Sequence, residues 1–235
     1  MVLGLGVAVV KPAAAQSTIF NIPTTDTVSP GKGYFEFDYL MQLPKPEAGQ
    51  FQTFAPRIVV GVTPMLEVGA NYAVTKIADD GGTIKIFQPN AKFKFFADDD
   101  AGLAAAAGII GYIPSDDGDK FGQIYADVSK KIKSGARFTA GIYGALSCDA
   151  CNGSSNKVGA ILGYEQPLTG KVSFVADFLS GENFWGYLTP GISVTLPHSG
   201  LLNIGYSIGY NELKGDGDPD YRNNALFVYY GITFP

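Results

Sequence analysis

With 235 residues, a formal net charge of -5 and charged side chains at only 17%, the chain is long enough for one large domain and too acidic to seek nucleic acid. It carries 30 glycines and 13% aromatic residues, but no apolar run long enough for a transmembrane helix in the mature chain. Two cysteines and one histidine leave too few soft ligands to complete a zinc shell.

Residues 1–15 read as an export signal. Val2 to Val10 form a short apolar stretch, and Ala13-Ala14-Ala15 supply the small-residue cleavage pattern, with Gln16 as the first mature residue. No basic stretch precedes the apolar one. Residues 16–31, QSTIFNIPTTDTVSPG, lack strand alternation and are rich in turn formers. They are expected to form a periplasmic lead into the domain at 32–235.

From residue 32 onward the sequence keeps a two-residue rhythm. Leu202, Ile204, Tyr206, Ile208 and Tyr210 alternate with Asn203, Gly205, Ser207, Gly209 and Asn211. Strand side chains alternate between faces, so one face is large and apolar and the other small or polar. The rhythm predicts about twelve strands near 33–43, 51–63, 66–77, 84–97, 102–114, 121–132, 136–147, 157–166, 171–180, 184–196, 201–212 and 223–234. Connections after even-numbered strands are tight, as at Thr63-Pro64-Met65 and Lys133-Ser134-Gly135. Several of those after odd-numbered strands are longer, as at Ser115 to Lys120, Cys148 to Asn156 and Lys214 to Asn223. Both ends of the domain then fall on the short-turn side.

A soluble barrel points its large apolar set inward. Here the small and polar set reads as the interior, the inverted order of a membrane barrel. A helix-free chain that spans lipid must close on itself, because every backbone polar group needs a partner. Phe35, Phe93, Phe95, Phe138, Tyr164, Phe174, Tyr230 and Phe234 fall near the short-turn ends of their strands, as an aromatic girdle at one water–lipid boundary.

The export signal, the alternating strands and the last strand, Leu226-Phe227-Val228-Tyr229-Tyr230-Gly231-Ile232-Thr233-Phe234, together resemble the bacterial outer-membrane β-barrels of the small, porin-like class. The resemblance covers nearly all of the mature chain. It implies an all-β, antiparallel up-and-down barrel in the bacterial outer membrane, with short periplasmic turns and longer extracellular loops. It also implies contact with lipid and lipopolysaccharide, and a C-terminal aromatic signal for the barrel-assembly machinery; here Pro235 follows Phe234.

Alternation assigns a charged and amide set to the lumen. Glu36, Asp38, Arg57 and Glu67 come from the first three strands, and Gln88, Asn90, Lys92 and Lys94 from the fourth. Gln123, Asp127, Arg137, Glu165 and Asp177 complete it. Hairpin register brings Arg57 across from Glu36 or Asp38, Glu67 across from Lys92 or Lys94, and Arg137 near Glu165. Two roles are open to this set: a polar channel lining that sorts solutes, and a paired network that stiffens the barrel.

Cys148-Asp149-Ala150-Cys151 is read as a loop disulfide, with a redox pair or half a metal site as rivals. Asp216, Asp218 and Asp220 have the alternate spacing that opens a calcium loop, but Phe227 stands where the bidentate Glu belongs. Asp79-Asp80 and Asp116-Asp117-Gly118-Asp119 add negative charge to the same rim. No phosphate loop, dinucleotide fingerprint or haem-attachment motif is present, so no cofactor is expected. The single histidine, His198, falls in a turn, and an enzyme is not expected. The leading expectation is a channel for passive diffusion of small hydrophilic solutes, as a monomer or homo-oligomer. The alternative is a closed barrel that anchors a surface or periplasmic partner.

Overall fold

The computed structural model describes residues 17–43, 51–77, 82–116, 118–147, 157–181, 185–209 and 224–235. The signal region, Cys148 and Cys151, and Asp216, Asp218 and Asp220 lie outside the described residues.

Two short strands come first, β1 (Thr18–Ile19) and β2 (Ile22–Pro23). Twelve long strands follow: β3 (Gly33–Gln42), β4 (Phe51–Gly61), β5 (Leu66–Ile77), β6 (Thr83–Asp98), β7 (Leu103–Pro114), β8 (Phe121–Lys131), β9 (Arg137–Leu146), β10 (Val158–Pro167), β11 (Val172–Leu179), β12 (Tyr187–Leu196), β13 (Gly200–Gly209) and β14 (Ala225–Phe234). Each long strand pairs antiparallel with its sequence neighbours, and β14 pairs with β3 from Ala225↔Gln42 to Phe234↔Gly33. The sheet therefore closes as a twelve-stranded barrel without edges.

The tight turns hold register through local side-chain bonds. Thr63 Oγ1 accepts from the N–H groups of Met65 at 3.2 Å and Leu66 at 3.0 Å. Thr169 repeats the arrangement for Lys171 at 3.2 Å and Val172 at 3.0 Å. Such hydroxyl caps satisfy backbone donors that a turn would otherwise leave open.

The exterior is apolar. On β13, Ile204 and Tyr206 are exposed while Asn203, Gly205 and Ser207 are buried. Ile142 at 64% and Val158 at 63% exposure mark the same outward face on β9 and β10. A band of this kind is stable only against hydrocarbon. At the short-turn end, Phe35, Phe93, Phe95, Phe138, Tyr230 and Phe234 are exposed. A bulge between Lys94 and Phe96 turns Phe96 outward beside Phe95.

The interior departs from the expected small and polar lining. Residues 17–28 run inside the barrel, and β1 and β2 form a two-rung hairpin there, closed by a bond from Thr24 N–H to Ser17 O at 3.0 Å. Ile19, Phe20 and Ile22 pack against Tyr125, Tyr143, Ile161, Val175, Phe227 and Tyr229 in one buried cluster. The alternation that places Gln123 and Asp127 inside places Tyr125 there too, since residues two apart share a face.

Phe20 sits at the hairpin turn with φ 35, a left-handed conformation that bulky residues rarely adopt. Its ring enters a groove made by two facing glycines, Gly191 on β12 and Gly205 on β13. A Cβ on Gly205 would meet the ring at 2.5 Å, and one on Gly191 at 2.4 Å. The ring also packs on Phe227 and Tyr229, with centroids 5.4 and 5.8 Å away.

Candidate functional site

Three ionic groupings line the short-turn half of the interior. Glu36 and Arg57 face each other on β3 and β4 and pair at 3.2 Å. Glu67 and Lys92 face each other on β5 and β6 and pair at 3.0 Å. Arg137 faces Glu165 across β9 and β10, and its guanidinium also pairs with Asp26 of the inner segment. The first two pairs are nearly sealed from water, so their charges attract strongly and are costly to leave single.

These groups pin the inner segment. The Ser17 hydroxyl donates to Glu67 and accepts from Arg57 at 3.2 Å and Lys92 at 3.0 Å. Arg57 also donates to Thr18 Oγ1 at 2.9 Å. The Val28 N–H reaches Glu67 at 2.8 Å. On the opposite wall, the Asn21 N–H donates to Asp177 at 2.6 Å and its side-chain amide donates to Thr189 at 2.8 Å. The Thr25 and Ser129 hydroxyls bond to each other. Burial pushes the Asp26 carboxyl up, but Arg137, helped by Lys92 and Lys94, outweighs it and holds Asp26 below the usual carboxylate range.

Asp127 is buried on the inner face of β8 and makes no ion pair among the described residues. Lys94 is half-buried. Asp38 is half-buried two residues from Glu36 on β3, with one carboxylate oxygen enclosed. His198 lies in the exposed turn between β12 and β13, with φ 58.

Between the inner segment and the wall lies a cavity of about 290 Å³. It reaches from Glu67 and Lys92 to Thr53 and Tyr112, close to the long-loop end. One flank is polar. The Asn71 side-chain amide donates to Gln88 at 3.3 Å, and Asn90 donates to Asn71 at 3.3 Å. Next to the amides, on β7, the lining turns aromatic: Tyr112 stacks on Phe121 with centroids 4.5 Å apart, and Trp185 tilts against Tyr112 at 5.9 Å.

Sequence reasoning missed Asp26, Ser17 and Asn21 as partners of the lumenal charges, and it missed the aromatic flank. The polar run Thr24-Thr25-Asp26-Thr27 in the lead was the available signal for Asp26.

The closed fold and its apolar exterior define a bacterial outer-membrane β-barrel, and the outer membrane is where such a barrel resides. No family model and no curated protein sequence matches the chain. Among solved structures it is similar to an outer membrane channel from Pseudomonas putida F1, with TM-score 0.55 and 11% identity over 89% of this chain and 98% of that one. It is also similar to outer membrane phospholipase A from Escherichia coli, with TM-score 0.49 and 12% identity over 88% of this chain and 98% of that one. These are likenesses of fold, and a channel is among the proteins built on it.

The expectation that the chain is not an enzyme is corrected by the second likeness. Outer membrane phospholipase A is an enzyme, and a fold by itself neither excludes nor assigns catalysis. That likeness assigns no activity to this chain.

Proposed function

We propose that the protein is an outer-membrane channel through which small hydrophilic solutes diffuse passively. The observation that carries this reading is the cavity beside the inner segment, whose polar flank runs along β4, β5 and β6 within a closed barrel. Solutes pass between that flank and the inner segment. The apolar face of the segment seals the opposite half of the lumen against β8 to β14. Glu67, Lys92 and Lys94 set the charge met near the periplasmic end. Lipopolysaccharide around the long loops and the barrel-assembly machinery acting on β14 are the partners this reading requires.

A second reading, a closed barrel that anchors a partner, is favoured by how tightly Phe20 is seated between Gly191 and Gly205. Liposome swelling decides between them. Vesicles with folded protein should swell in small sugars and amino acids, with rates falling as solute size rises. Swelling no faster than protein-free vesicles for every solute would reject the channel.

A further inference from the structure

We infer that the cavity beside the inner segment is a binding site for one neutral, ring-sized polyhydroxylated solute, a monosaccharide in chemical class. The inference rests on the channel reading and names the solute class its path selects.

The volume, about 290 Å³, lies at the small end of ligand pockets and suits one ring rather than a chain of them. The cations that line it are already committed. Arg57 is paired with Glu36 and Lys92 with Glu67, so among the described residues no free cation in the lining awaits an anionic solute. What remains on the polar flank is a ladder of carboxamides, Asn71, Gln88 and Asn90, with Gln123 across the cavity. A carboxamide both donates and accepts, as a sugar hydroxyl does. The ladder bonds are long, 3.3 Å each, and exchange readily for bonds to a ligand. Asp38 lines the same space and keeps one oxygen without a partner among the described residues, an acceptor for a further hydroxyl.

Beside the amides the lining turns aromatic. Tyr112 on β7, next to Gln88 on β6, and Trp185 both line the cavity, with ring centroids 5.9 Å apart. A pyranose has one face of C–H groups and a rim of hydroxyls. It can lay the face on these rings while its rim meets the amides. Neither an alkane nor a small ion uses both flanks, since the first leaves the amides unpaired and the second leaves the rings bare.

The chain has a single tryptophan, and it lines this cavity, so its emission reports occupancy directly. Full-length folded protein in detergent is titrated with D-glucose, D-galactose and N-acetylglucosamine, with choline and benzoate as charged probes of similar size. Folding of every variant is checked by heat-modifiable gel mobility. At least one sugar should give a saturable Trp185 change at concentrations up to about 0.1 M, which saturates any site with Kd near ~1 mM. Asn90→Ala and Gln88→Ala should each weaken it about tenfold while staying folded, as expected for losing one hydrogen bond to the solute. No saturable change with any sugar, or saturation with choline or benzoate alone, overturns the inference. Liposome swelling on the same preparation separates the two readings: swelling without sugar binding removes the site and keeps the channel. Binding without swelling removes passage and keeps the site.

Discussion

Arg137 on the barrel wall holds Asp26 of the inner segment by a salt bridge that spans 111 residues of sequence. The same guanidinium holds Glu165 on the neighbouring strand, so one cation ties the wall to itself and to the segment that fills it. Arginine suits this position because its planar fork can satisfy two carboxylates at once.

Cutting this tie should loosen the segment without unfolding the barrel. Asp26→Asn keeps the shape and removes the charge. Its cost is on the order of 1–3 kcal/mol, the usual penalty for a charge-assisted bond in a partly sheltered site. The expected readouts are a lower denaturant midpoint and a larger, noisier conductance in planar bilayers. Arg137→Ala should go further, because it strands both carboxylates.

Acid should act through the same residue. The Asp26 carboxyl lies below its ordinary value of 3.8, so pairing adds stability that is complete above that value. The contribution drains away as pH falls through the lower folded value. Conductance of the wild-type protein should therefore rise on acidification below about pH 4, where carboxylates begin to titrate. The Asp26→Asn variant should show a smaller rise, since its tie is already cut. Equal acid responses in the two proteins would assign the effect elsewhere.

The Phe20 groove gives an independent handle on the segment. Gly205→Val puts methyl groups where the ring sits, given that even a Cβ would lie 2.5 Å from it. The ring must leave, and the hairpin with it. Protease added from the periplasmic side should then cleave within 17–28 in the variant and spare that stretch in the wild type. Phe20→Ala should reproduce the effect without touching the wall.

Lumenal charge should be legible in ion selectivity. Replacing Lys92 and Lys94 together by Gln removes two positive charges and leaves Glu67 without its ion-pair partner. The reversal potential in a salt gradient should shift toward cation preference, and the shift should shrink as salt concentration rises. An unchanged reversal potential would mean that permeant ions never meet this region.

Much of the barrel was readable because lipid imposes a simple rule on one face of every strand. The expected strand at 66–77 coincides with β5, and the one at 201–212 overlaps β13 with its start one residue late. The lumenal face was readable from the tight turn at Thr63-Pro64-Met65, which places Arg57 and Glu67 on the same side. The facing pairs, Glu36 with Arg57 and Glu67 with Lys92, span the other, longer connections, so alternation left two candidate partners for each and only the register chose between them. The inner segment was not readable in the same way. Its partners lie on strands far along the chain, and no hairpin fixes Asp26 relative to Arg137 or Asn21 relative to Asp177. The apolar cluster that holds the inner segment was hidden for another reason. Tyr125, Phe227 and Tyr229 sit on a face otherwise made of small and polar residues, and alternation gives their side but not the segment they pack against. The two glycines that admit Phe20 read in sequence as ordinary small lumenal positions.

Passage through the barrel depends most on water filling the polar flank while the outside touches hydrocarbon. Phe87 and Gln88 are adjacent on β6; Phe87 is 43% exposed on the exterior and Gln88 lines the cavity. Spin labels on Phe87→Cys and Gln88→Cys, each in a Cys148→Ser, Cys151→Ser background reconstituted in lipid, can be tested against dissolved oxygen and a water-soluble nickel complex. The label at 87 should collide mainly with oxygen and the label at 88 mainly with nickel. Oxygen-dominated collisions at both positions, or the opposite assignment, would contradict a hydrated lumen and the passage proposed through it.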